Sequence, residues 1–336
     1  MTDVSPLEAP SVAPAPAPIT PPPEVAEPLS TEAQGLGAKP SSPARLAWRR
    51  FRRHKLALIG AIVFIVITLC CLFANLLTQY SPTQTFTAGV GKHFIGPTSG
   101  HWFGIDSIGR DNYTRVLYGG RISIAVGIGV AFFATLAGTI IGTLAGYYGG
   151  WLDNVLMRVT DLFLAIPLLV ILIIGSELPS KQGWAQSFMG PAHSMRSIIT
   201  ILTLFFWMPI ARVVRGLVLS LKEKEFVEAA RAAGASDIRI MGRHLIPNCT
   251  GQIIINATLA VAAAILTEAA LSFLGYGIDP VRAPTWGNLL TNAEGPMNIA
   301  PYLVWFPGLA IVLTVLAVNF IGDGLRDALD PKQLSV

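Results

Sequence analysis

The sequence predicts an all-α membrane protein with six transmembrane helices, and three observations carry that reading. Of its 336 residues, 52% are hydrophobic and only 13% are charged, against about 25% charged in an ordinary soluble domain. Charge-free runs such as Leu56–Leu77 and Ile122–Leu152 recur, each at least the roughly 20 residues a helix needs to cross a bilayer. Glycine and proline number 32 and 24 with a mean hydropathy of +0.56, as in helices packed in lipid. Six spans would use about 120 residues, leaving room for a tail and loops but for no second large domain. In such a chain the net charge of +4 reflects loop topology rather than nucleic-acid binding, and no nucleic-acid partner is expected.

Residues 1–44 hold 11 of the 24 prolines and five acids against the single base Lys39. A segment of that composition cannot bury a core and is expected to be a disordered cytosolic tail; it lacks the basic start and apolar run of a cleaved signal peptide. Deleting residues 1–40 should therefore leave assembly nearly intact, measured as the amount of the chain in the membrane fraction, and lost assembly would show that the proline-rich segment binds a partner. Next come Arg45, Arg49, Arg50, Arg52, Arg53 and Lys55, a basic collar at the membrane edge that sets topology and meets anionic lipid. The first span follows at 56–77, and residues 45–121 form collar, first span and outer loop.

Residues 122–330 are expected to form the core transmembrane domain. Its first span, 122–152, carries Gly138, Gly142 and Gly146 at four-residue spacing, which puts them on one helix face where another helix approaches closely. The next covers 155–174, with Arg158 and Asp161 spaced to pair and Pro167 placed to kink it. The remaining spans fall at 197–214, 247–274 and 299–321. If the N-terminus is cytosolic, inner segments hold 17 bases and outer segments seven, which predicts both termini inside.

Cys70, Cys71 and Cys249 lie in or beside apolar runs, and the five histidines are scattered, so neither a redox nor a metal centre is expected. Residues 222–248, between the fourth and fifth spans, are the most informative. They read as two short cytosolic helices. The first places Phe226, Ala229, Ala230 and Ala233 on one small-residue face, with Glu228 and Arg231 supplying charge. Gly234 ends it, and Ser236 or Asp237 caps the second, which runs to Pro247.

Glu228-Ala229-Ala230, then Gly234, then Pro247, in a basic loop before the penultimate span, resemble the EAA loop of ABC importer permeases. The segments Phe51–Leu58, His101–Asp111, Tyr118–Ser123, Thr267–Gly275 and Trp286–Asn288 resemble the C-type subunit of oligopeptide and dipeptide importers, so that the likeness covers roughly residues 48–330. The resemblance implies a type I importer permease that pairs with a B-type permease to form the pore, with two cytosolic ABC ATPase subunits and an extracytoplasmic substrate-binding protein. It also implies that Phe226, Glu228, Ala229, Ala230, Arg231, Gly234 and Asp237 couple to the ATPase. No cofactor and no catalytic residue are expected: the sequence has no phosphate-binding loop, since Gly91-Lys92 is followed by His93.

Glu268, Trp286 and Asn288 are candidates for the pore mouth. Glu268 would either attract a peptide ammonium group or, as preferred, hydrogen-bond the outer segment around Trp286, Gly287 and Asn288. Nickel, glutathione and other small solutes remain alternatives to a peptide within the same branch. A secondary transporter would bury coupling charges near mid-membrane, whereas Arg158, Asp161 and Glu268 lie toward span ends. A membrane enzyme would gather its acids and histidines, which are dispersed.

Overall fold

The computed structural model describes residues 43–86 and 94–329; the expected tail thus lies outside the described residues except for its last two positions. Among the described residues the fold is helical throughout, without β-strands. The first half of the collar is helical, α1 (Pro43–Phe51), held by Phe51 in an apolar seat against Ala57, Ala328 and Leu325, while Arg52 and Arg53 form a turn. His54 caps α2 (Lys55–Leu72), its Nδ1 accepting the Ala57 N–H at 3.0 Å. The first span breaks at Phe73 and ends in the short α3 (Ala74–Leu77).

The second span is α4 (Asn112–Tyr148). Its 37 residues, about 55 Å at 1.5 Å each, start ten residues before the sequence-based boundary. Asp111 fixes that start, its Oδ2 accepting the Thr114 N–H at 2.8 Å and the Thr114 hydroxyl at 2.7 Å. A buried network supports this end: Asp106 accepts Arg115 Nη1 at 2.7 Å and Arg110 Nε at 2.8 Å, and His101 Nδ1 lies 2.8 Å from Asp111 Oδ1.

Pro167 does more than kink the third span. It separates α5 (Gly150–Leu164) from α6 (Leu168–Lys181) with a bend of 94°, because proline has no N–H to continue the ladder and sits as N-cap with ψ 119°. The expected Arg158–Asp161 pair is also corrected. Asp161 instead accepts from Arg212, and Asp153 accepts from Arg215, with Arg215 Nη2 at 2.6 Å from Oδ2; these longer-range partners tie α5 to the fourth span.

After α7 (Gly183–Met189), the fourth span α8 (Met195–Leu221) opens with a capping box between Ser194 and Ser197. The glycine stripe meets it as expected. Side chains at Gly138, Gly142 and Gly146 would place Cβ 2.7, 2.5 and 2.9 Å from the carbonyl oxygens of Trp207, Ala211 and Arg215, so the backbones of α4 and α8 touch where no side chain fits.

Two short helices, α9 (Glu225–Ala232) and α10 (Asp237–Ile240), precede the fifth span α11 (Ile246–Phe273). The expected boundary at Pro247 is not a break: α10, a π-turn at Met241–Leu245 and α11 run continuously from Asp237 to Phe273. Widening the turn removes the clash a proline ring makes with the carbonyl four residues back, and the Ile246 N–H bonds Met241. Finally α12 (Trp286–Glu294) lies before α13 (Tyr302–Leu329). Among the described residues five helices are long and apolar enough to cross a membrane, and the bent pair α5 with α6, counted as one span, makes six.

Candidate functional site

The first of two sites is the 222–248 loop. α9 ends in a Schellman motif: the Ala235 N–H reaches the Ala230 carbonyl and the Gly234 N–H that of Arg231, both at 3.0 Å. Gly234 supplies the left-handed residue at φ 78°. The sequence placed Ala230 on the same face as Phe226, Ala229 and Ala233, and the structure corrects this. Val227 is fully buried among Val218, Ile240 and Leu245, and Ala230 packs beside it, half-buried. Phe226, Ala229 and Ala233 face outward, with Glu228, Arg231 and Gly234 also exposed. The inward turn follows from Val227, an apolar side chain three residues from Ala230 and hence on its face.

Asp237 is exposed, and its Oδ1 accepts the Tyr147 hydroxyl at 2.7 Å. Asp237 thereby joins the loop to the end of α4. Ser236 holds the N-cap position of α10 without a side-chain cap bond.

The second site gathers Glu268, Trp286 and Asn288, all buried. Glu268 accepts the Ser272 hydroxyl at 2.7 Å and the Ser123 hydroxyl at 3.1 Å. Ser123 in turn accepts the Trp286 backbone N–H at 3.2 Å, and the indole N–H donates to the Val116 carbonyl at 2.9 Å. Asn288 pairs with Thr285 as a capping box and donates to the Ala283 carbonyl at 3.1 Å. The carboxylate thus stands at a junction of α4, α11 and α12.

Residues 138–335 match the family of binding-protein-dependent transport system inner membrane components. The chain belongs to that family. Residues 42–91 of this permease also match the N-terminal TM domain of oligopeptide transport permease C. It is 41% identical over 290 residues to the glutathione transport system permease protein GsiD of Escherichia coli O157:H7 and of Shigella sonnei (strain Ss046), covering 85% of this chain and 89% of each relative. A chain from inward-facing conformations of the MetNI methionine ABC transporter matches at TM-score 0.52 and 20% identity, covering 64% of this chain and 96% of that one, a likeness of fold. The protein is accordingly a multi-pass inner-membrane permease of an ABC importer with the type I permease fold, non-catalytic, working with ATPase and substrate-binding partners.

Several residues of these sites escaped the sequence reading. Ile238 on α10 is 79% exposed, a large apolar side chain beside Asp237 that only the loop's folding distinguishes from a core position. Ser123 and Ser272 lie within the segments Tyr118–Ser123 and Thr267–Gly275, and the signal that points to them is that an acid within an apolar helix needs a partner.

Proposed function

We propose that this permease forms half of the translocation pore of an ATP-driven peptide importer, with a B-type permease as the other half and two ATPase subunits on the cytosolic side. The 222–248 loop is the coupling element. Its exposed residues Phe226, Ala229, Ala233 and Ile238 enter a groove of the ATPase, while Glu228 and Arg231 border the contact and Gly234 keeps it low. Val227, Ala230 and the Tyr147–Asp237 hydrogen bond fix the loop to the membrane helices. Both termini lie in the cytosol, as the distribution of bases suggests.

One observation bears on the substrate above all: the 41% identical relatives are glutathione permeases, which favours the glutathione alternative over nickel, and glutathione, a tripeptide, is the solute this reading takes as its first candidate. Deleting the chain and restoring it should remove and return uptake of labelled glutathione or short peptides, with nickel uptake unchanged. Loss of nickel uptake with peptide uptake intact would overturn the peptide reading.

Glu268 acts in this account as a latch that holds Trp286 and α12 against α4 and α11. Glu268→Gln keeps hydrogen-bonding capacity and removes charge, so uptake of peptides with free and acetylated N-termini should fall together, if at all. A selective loss for free amines would instead make the carboxylate a substrate contact.

A further inference from the structure

Exposed side chains on α2, α4 and α13 are apolar where they would meet lipid, as at Ile62, Phe132 and Leu309. The loop-proximal parts of α8 and α11 differ. Arg212 and Asp161, paired between α8 and α5, are 46% and 54% exposed, and Arg212 lies nine residues before the end of α8, about 14 Å along its axis. On α11, Asn248 and Gln252 are exposed and Asn256 is half-buried, at four-residue spacing. Asn248 Nδ2 donates to the His244 carbonyl at 2.6 Å and Asn256 Nδ2 to that of Gln252 at 2.8 Å.

These groups share one side of the molecule. α8 turns the Trp207, Ala211 and Arg215 backbone, with the Ile210 and Val214 side chains, toward the glycine stripe of α4, and Ile210 and Val214 share one buried cluster with Cys249 of α11. In turn α11 meets Gly127 of α4 through Val261 and Ile265. With α4 behind both helices, helical periodicity puts Arg212, Gln252 and Asn256 on the side away from it. An ion pair and a row of amides in membrane helices face water or a polar cavity rather than hydrocarbon.

We infer that this side is the wall of a water-filled passage, over which the transported solute moves between α8 and α11 on its way to the coupling-loop side. Gln252 and Asn256 offer the solute amide donors and acceptors, and the Arg212–Asp161 pair offers both charges. This assignment holds whichever solute is carried and does not depend on the peptide reading.

Thiol accessibility tests it, since a cysteine reacts as the thiolate, which requires water. Asn248→Cys, Gln252→Cys and Asn256→Cys would be introduced singly into the assembled transporter. Open membrane fragments would then be treated with a charged, membrane-impermeant methanethiosulfonate, and labelling compared with the native chain's background. Gln252→Cys and at least one neighbour should label within about tenfold of the exposed control Arg326→Cys, which lies outside the 222–248 loop, while lipid-side Ile62→Cys stays at background. Silence at all three positions, in membranes holding native amounts of each variant, would mean that lipid or a helix of the second permease covers the face, and would overturn the inference. Uptake assays with peptides or nickel address the substrate reading separately.

Discussion

Replacing Gly234 with tryptophan is expected to abolish uptake while leaving the permease in the membrane. Apart from the glycine and its two chain neighbours, no atom lies within 4 Å of where a Cβ on Gly234 would stand, so a side chain starts out into open space and projects toward the position proposed for the ATPase. Backbone strain is a smaller effect. At φ 78° an L-residue costs about 1–2 kcal/mol, which weakens the end of α9 without unfolding a six-span protein. Gly234→Ala carries that strain without the bulk, and should retain a measurable part of native uptake. Normal uptake by Gly234→Trp, with equal amounts of protein in the membrane, would show that the loop merely connects two spans.

Gly142→Leu is expected to act on the fold itself. Its Cβ would stand 2.5 Å from the Ala211 carbonyl oxygen, a backbone atom that moves only if α4 and α8 separate. Even alanine overfills the contact, at about 1–3 kcal/mol for such overpacking; leucine should prevent the two helices from seating and remove the chain from the membrane fraction. Gly308→Ala is the control, because the nearest atom to its Cβ is 4.0 Å away, and it should leave thermal unfolding in detergent unchanged or slightly raised. A Gly142→Leu chain with native thermal stability would contradict the close α4–α8 contact.

The glycine stripe was legible because its spacing is a property of one helix: Gly138, Gly142 and Gly146 share a face whatever packs on them. The positions of the spans were legible for a similar reason, since length and lack of charge are local. Tertiary partners were not. Asp161 has Arg158 three residues away, yet it bonds Arg212, 51 residues on; Glu268 bonds Ser123 across 145 residues. Proline positions announced a distortion but not its size, so that Pro167 breaks a span through 94° while Pro247 is absorbed by one π-turn. In the 222–248 loop the Ala-rich α9 has two faces of similar composition, and only the hydrophobic seat formed by Val218, Ile240 and Leu245 decides that Val227 and Ala230 turn inward.

The coupling assignment is tested most directly by recovering the permease with its ATPases. An affinity-tagged chain would be purified from mild detergent and the ATP hydrolysis that accompanies it measured for the native form and for Ile238→Asp. Ile238 is 79% exposed, so a charge there leaves the chain's own packing intact and enters the proposed contact. The native chain should bring ATP-hydrolysing subunits with it, and Ile238→Asp should lose most of that activity while remaining in the membrane in native amounts. Equal hydrolysis recovered with both chains would contradict docking through the 222–248 loop.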